Sequence, residues 1–289
     1  MDTEKCAALL CALEEGTLAR AAEKLGYTPS GISRMVAALE EELGVPLLHR
    51  GRGGVLATGE CEALLPALRQ MAYQAECCRQ TAAALRGLEQ GSITVGANYH
   101  FYSRQMAHLM ARFRERHPGI VFQTIEGTST TLAVALREHR ADLCVISRRD
   151  GSHQWLPLRR DPMMVMLSPA HPLAAAEAVP IHLLETESYI EIFPGRETDN
   201  SRILAENDIH PGNRFAGVED NFSAMAMVEA GLGISLVNGL IAGTLTGDVV
   251  FRPLDPPQYV EIGIATPPTE TMSPAARRFL AFVRENIKG

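Results

Sequence analysis

The chain has 289 residues, 46% of them hydrophobic and 21% charged, with a formal net charge of −7. This is ordinary globular composition, with length for about two domains, or three if one is small, and it excludes disorder. No stretch approaches the roughly 20 apolar residues that span a bilayer, and residues 1–91 hold nine Lys+Arg against twelve Asp+Glu, so bulk charge announces no nucleic acid.

The opening MDTEKCAALLCALEEG puts acids ahead of a short apolar run and lacks the basic start and cleavage site of a signal peptide, so a cytoplasmic location and no membrane partner are expected. Residues 3–15 predict a helix whose Leu9, Ala12 and Leu13 cover the next two helices. In residues 17–25, Leu18, Ala21, Ala22 and Leu25 recur at i, i+3, i+4 and i+7, one face of a second helix that Gly26 ends. Thr28 and Pro29 read as N-cap and first position of a third helix. Ile32, Val36, Leu39 and Leu43 make its core stripe, which turns Ser30, Arg34, Ala37, Ala38 and Glu41 outward, with Ser33 flanking them. Hydroxyls and an arginine at a helix N-terminus suit contact with phosphates and base edges, although periodicity alone fits a plain amphipathic pair equally well.

The residue order separates the two. AAEKLGYTPSGISRMVAALEEELGVPLLHR, residues 21–50, resembles the helix-turn-helix of LysR-type transcriptional regulators, with its A-A-x-x-L, Ser-Arg and L-E-x-x-L-G motifs and an L-F-x-R that here is Leu47-Leu48-His49-Arg50. The resemblance implies a DNA-binding surface of Thr28, Pro29, Ser30, Ser33 and Arg34. Pro29, Met35, Ala37 and Ala38 stand where such regulators usually carry polar or basic residues, which leaves few side chains to read bases. GRGGVLAT after Arg50 suggests the hairpin of a winged helix, with Arg50 and Arg52 as phosphate contacts; a solvated loop is the alternative.

From Gly59 to about residue 88, Cys61, Leu64, Leu68, Met71, Ala75, Cys78, Ala82 and Leu85 keep heptad spacing, the pattern of a dimerisation helix about 45 Å long that Pro66 should kink. Gly91-Ser92 ends it. Beyond lie strands and helices in alternation: ITV, a helix near 102–116, IVFQTI, a helix over 130–138 and ADLCVIS as parallel βαβ units. DPMMVMLSPAHPLA, ESYIEIF, a helix near 197–207, RFAGVED, a helix over 220–230 and GLGISLV would form a second sheet. YVEIGIATPP should return to the first sheet, with a closing helix over 273–287.

LMARFRERHPGI, ADLCVIS, MVEAGLGISLV and PAARRFLAFVRENI occur in the order expected of the effector domain of the same family, so the resemblance covers nearly the whole chain. It implies an α/β protein with an all-α winged helix-turn-helix domain at 1–58, a linker helix at 59–90 and an effector-binding domain at 91–289. That last part would be two Rossmann-like subdomains of the periplasmic-binding-protein type, about 91–161 with 266–289, and 162–265. The implied partners are double-stranded promoter DNA, a small-molecule effector, further copies of the chain as dimer and tetramer, and RNA polymerase.

Ligands in such sheets bind beyond the carboxyl ends of strands. The converging loops nominate Asn98, Tyr99, Ser103, Thr128, Ser129, Thr130, Arg148, Phe193, Arg196 and Phe222 as an effector site for a small organic acid, with Tyr99, Phe101, Tyr102 and the phenylalanines enclosing an apolar or ring-containing body. Capping, solvated and core positions are the alternatives for each. A solute-binding protein without DNA function also fits a two-domain cleft, but not a ninety-residue N-terminal extension. Enzyme signatures such as GxxxxGK[ST] and G-x-S-x-G are absent, and no cofactor or metal is expected. Of the six cysteines only Cys144 lies in residues 92–289, and none forms a CxxC pair, so reduced thiols are expected.

Overall fold

A computed structural model describes residues 2–51, 53–86, 90–151 and 153–287. Close contacts divide the chain into two units, one of residues 1–91 with 138–140 and 272–275, the other holding the remainder.

The first unit begins with α1 (Thr3–Glu15), α2 (Leu18–Leu25) and α3 (Pro29–Leu43). Asp2, Thr17 and Thr28 cap their N-termini, each side chain accepting a backbone N–H from the first turn. Gly16, Gly26 and Gly44 end them in the left-handed region, where a side chain would be strained. Leu9 and Ala12 of α1, Ala21 and Ala22 of α2, and Ile32, Val36 and Leu39 of α3 bury one shared core, as their periodicity requires. Strands β1 (Leu48–Gly51) and β2 (Gly54–Ala57) pair as an antiparallel hairpin, the expected wing.

Next comes α4 (Gly59–Leu85), capped by Thr58 and carrying Pro66 in its interior. The heptad seam divides along its length. Cys61 and Leu68 are buried, and Leu64 and Met71 pack beside them in the core of α1–α3, whereas Cys78, Ala82 and Leu85 are exposed, Leu85 by 85%. The N-terminal half of the seam therefore serves this chain's own core, and Cys78, Ala82 and Leu85 of the C-terminal half stay uncovered by it. The described helix ends at Leu85, short of the expected residue 90, and residues 87–89 lie outside the described residues.

The second unit runs through β3 (Gly91–Ala97), α5 (His100–Arg116), β4 (Ile120–Ile125), α6 (Ser129–Arg137), β5 (Leu143–Ser147), β6 (Gln154–Leu167) and the two-residue β7 (Val179–Pro180). It continues through β8 (Ser188–Ile192), α7 (Asp199–Glu206), β9 (Asn213–Val218), α8 (Asn221–Glu229), β10 (Ser235–Asn238), α9 (Gly239–Ala242), β11 (Val250–Asp255), β12 (Tyr259–Thr266) and α10 (Pro274–Asn286). Hydrogen bonding follows the order β4-β3-β5-β12-β6-β11-β7, with β10 also on β6 and β8 beside β9.

The expectation of parallel βαβ units holds for β3 with β5 and for β8 with β9. The strands that join the two halves, which it did not cover, pair antiparallel. The 14-residue β6 runs through both, pairing antiparallel with β12 over Gln154–Pro162 and with β10 and β11 beyond Met163. A single long strand cannot supply two separate parallel sheets; its neighbours must fold back along it. β12 also pairs antiparallel with β5 over Ile262–Ala265, so the return to the first half precedes residue 266. Each half keeps its own core, one around Leu132, Leu136, Cys144 and Ile146, the other around Met166, Ile190, Val228 and Val237. Among the described residues no helix is long and apolar enough to cross a membrane.

Candidate DNA-reading surface and effector cavity

The first turn of α3 exposes Thr28, Pro29 and Ser30, and Arg34 is exposed one turn further on. Thr28 Oγ1 accepts the Gly31 N–H at 3.1 Å and lies 3.1 Å from Ser30 Oγ, so both hydroxyls are held at the helix end. Ser33 is half-buried and accepts a hydrogen bond from Arg50 Nη1 at 2.9 Å. Arg50, on the first wing strand, is thereby brought over the recognition helix. Arg52 lies outside the described residues. Tyr27, 46% exposed, and Leu56 of the wing, 73% exposed, are large apolar side chains left uncovered in this domain.

In the second unit a cavity of about 380 Å³ opens where the two halves meet. Its wall is built from the first turns of five helices: Tyr99 to Phe101 of α5, Thr128 and Ser129 of α6, Thr198 to Asn200 of α7, Asn221 and Phe222 of α8, and Asn238 to Ile241 of α9. Each helix leaves a strand at its carboxyl end, so the five first turns gather on one space; Thr128, Thr198, Asp220 and Asn238 cap those of α6 to α9, and α5 has no side-chain cap. Of the expected residues, Asn98, Tyr99, Thr128, Ser129, Phe193 and Phe222 line it.

Four do not, for local reasons. Ser103 is one turn into α5 and donates to the carbonyl of Tyr99 at 3.2 Å. Thr130 accepts from Arg149 Nε at 2.9 Å. Arg148 is exposed and ion-paired with Glu261 at 3.0 Å, and Arg196 is exposed and paired with Glu219 at 2.8 Å. Among the described residues lining the cavity there is no lysine or arginine.

The charged group of the wall is Asp199, which sequence did not single out although its loop was included. Its Oδ1 accepts Arg149 Nη2 at 2.8 Å and the Ser147 hydroxyl, and its Oδ2 accepts the Tyr99 hydroxyl at 2.6 Å. Arg149 and Asp199 side chains are 7% and 10% exposed, so the pair is desolvated. Burial, then the Asp199 charge, pushes the Tyr99 phenol well above its usual range and keeps it a neutral donor. This network ties β5, α5 and α6 of the first half to α7 of the second. A second buried carboxylate, Asp161 on β6, accepts the Leu240 N–H at 2.8 Å and holds the start of α9 against the shared strand. Burial raises its pKa above the ordinary carboxylate value.

A winged reading head on one unit and a ligand-sized cavity at the helix N-termini of the other define a DNA-binding regulator with an effector domain. Residues 4–62 match the family model for the bacterial regulatory helix-turn-helix protein, lysR family, and residues 86–288 match the LysR substrate binding domain. The chain belongs to the LysR family of transcriptional regulators.

It is similar to the HTH-type transcriptional regulator BudR of Raoultella terrigena, 30% identical over 267 residues covering 87% of this chain and 90% of BudR. It is also similar to the uncharacterized HTH-type transcriptional regulator YvbU of Bacillus subtilis, 28% identical over 277 residues and 94% of each chain. Its fold is similar to that of a variant of full-length OxyR from Pseudomonas aeruginosa, with TM-score 0.71 at 21% identity over 99% of this chain and 94% of that one. It is likewise similar to the LysR family regulator CbnR, with TM-score 0.62 at 20% identity over all of both chains. These relatives are regulators, and the chain is a DNA-binding transcriptional regulator rather than an enzyme or a solute-binding protein without DNA function.

Truncating Arg149 would leave Asp199 charged, buried and without its cation. Arg149→Ala should lower the unfolding free energy of the second unit by about 3 kcal/mol. Urea denaturation followed by far-ultraviolet circular dichroism checks this, and a loss below about 0.5 kcal/mol would mean that water already solvates the pair.

Proposed function

We propose that this regulator senses a small organic acid in the cavity of its second unit and reads promoter DNA with Thr28, Pro29, Ser30, Ser33, Arg34 and Arg50. Residues 1–58, 59–90 and 91–289 serve as reading head, dimerisation helix and effector domain, and the protein works in the cytoplasm with genomic DNA.

The convergence of helix first turns carries the assignment of an acid. The helix dipoles favour negative charge, and α5, unlike α6 to α9, has no side-chain cap, which leaves its first-turn N–H groups for a ligand. Asp199 does not repel the ligand with a full charge, because Arg149 neutralises it from behind. Sequence alone nominated Arg148 and Arg196 as the cations; here the backbone and the hydroxyls of Thr128 and Ser129 take their place. The lining also holds Ile192, Phe193, Phe222, Leu236, Leu240 and Ile241, apolar surface suited to an aliphatic or ring-shaped body. To act as a signal the acid must bind one conformation better than another.

Calorimetry on the full chain with a panel of aliphatic and aromatic monocarboxylates, each beside its primary amide and its amine, tests the ligand class. Acids should bind and amines should not. Phe222→Ala should weaken the best acid by about 1–2 kcal/mol through lost apolar contact, while Arg148→Ala leaves it unchanged. Preference for an amine would overturn the reading.

For DNA, Arg34→Ala should weaken binding by about 1–3 kcal/mol if the guanidinium meets a base edge. The measurement is a gel shift against a duplex that the wild-type protein has selected from a random-sequence library. Equal affinity of a folded variant would remove Arg34 from the interface.

Assembly is proposed through the exposed C-terminal half of the α4 seam, with effector domains joining dimers into a tetramer. Leu85→Glu, which touches no core of the single chain, should reduce the mass seen by light scattering at least twofold. An unchanged mass would move the dimer contact off this half-seam.

A further inference from the structure

We propose that Glu40, near the C-terminal end of the recognition helix, is a positioning residue for DNA binding: it aims the Arg50 guanidinium at a phosphate. The inference rests on the reading of Arg50 as a phosphate contact.

Glu40 lies in the last turns of α3, and its side chain is 21% exposed. Oε1 accepts the backbone N–H of Leu47 at 2.8 Å and of Leu48 at 3.2 Å, where the chain enters the wing. Two backbone donors on one oxygen lock the carboxylate in a single orientation. Oε2 is then left 3.9 Å from Arg50 Nη2. Arg50 Nη1 in turn donates to Ser33 Oγ. The guanidinium is thus held at one end by the helix's own carboxylate and at the other by a hydroxyl near the helix N-terminus. Its side chain is still 43% exposed, with N–H groups to spare from a fork of five donors.

An arginine that is unrestrained in solution gives up rotamer freedom when it docks on a phosphate, and this one has given it up beforehand. The sign of the effect distinguishes positioning from mere proximity. A carboxylate near DNA repels phosphate. If Glu40 did nothing for Arg50, removing its charge would tighten binding; if it positions Arg50, removing it loosens binding despite the relieved repulsion.

Phosphate contact is independent of sequence, so the probe is a fluorescein-labelled duplex of about 40 base pairs of arbitrary sequence, titrated with full-length protein by anisotropy across a range of KCl concentrations. Arg50→Ala should weaken binding and reduce the slope of log affinity against log salt by about one. Glu40→Gln, whose amide oxygen still accepts the Leu47 and Leu48 N–H groups, should weaken binding about three- to tenfold, on the scale of one phosphate contact at this salt. In the Arg50→Ala background the same change should cause no further loss. Arg50→Lys, which keeps the charge and leaves Glu40 untouched, should weaken binding without changing the slope, because a single ammonium cannot span Ser33 and Glu40 as the fork does.

Glu40→Gln binding at least as tightly as wild type, or an equal loss with and without Arg50, would overturn the positioning of Arg50 by Glu40, as would Arg50→Lys binding like wild type. Arg50→Ala with unchanged affinity and slope would instead remove Arg50 from the interface and the inference with it.

Discussion

In the second unit, a carboxylate and a guanidinium share a site that water barely reaches. Further hydrogen bonds support the Arg149–Asp199 pair there: Tyr99 and Ser147 donate to Asp199, and Thr130, the Ser147 hydroxyl and the Arg148 carbonyl accept from Arg149. A partly satisfied buried pair would cost more than it returns. Satisfying it requires β5, α5, α6 and α7 to meet in one arrangement. The cavity arises from the same requirement, since the helix first turns that supply these groups also form its wall. The ligand site and the stability of this unit therefore depend on common atoms.

β6 imposes a second constraint of this kind. Because one strand belongs to both halves, β12, β10 and β11 are set along it by register, and Asp161 fixes the beginning of α9 to it. The two halves are joined by a continuous hydrogen-bonded strand that carries neighbours from both. The apolar clusters on either side, around Leu136 and around Val228, support that division.

The reading head solves a different problem with few charges. Its residues are net acidic, yet Thr28, Ser30, Ser33 and Arg34 stand where α3 begins and Arg50 reaches over them from the wing. Glu40, counted as one more acid in the net charge, is tied to the Leu47 and Leu48 backbone and faces Arg50. Net charge is a poor guide when what decides is where the few cations and hydroxyls stand on the surface.

Much of this was legible in the chain itself. Caps at Thr17, Thr28 and Thr58, glycines at 16, 26 and 44, and the 3.6-residue recurrence of Ala21, Ala22, Ile32, Val36 and Leu39 depend on neighbours within a few residues, so sequence determined the helices, the turn between them and the family. The alternation of strands and helices after residue 91 was local in the same sense. Tertiary structure alone decided which side chains meet. Thr130 and Ser103 lie within α6 and α5 and turn to Arg149 and to their own helix, while Asp199 becomes the charged wall because Arg149, fifty residues earlier in the chain, arrives behind it. The heptad seam of α4 shows the same limit. Its spacing specifies a stripe of apolar residues, but periodicity carries no information about what covers a stripe, and the packing of α1–α3 claimed the first half of this one.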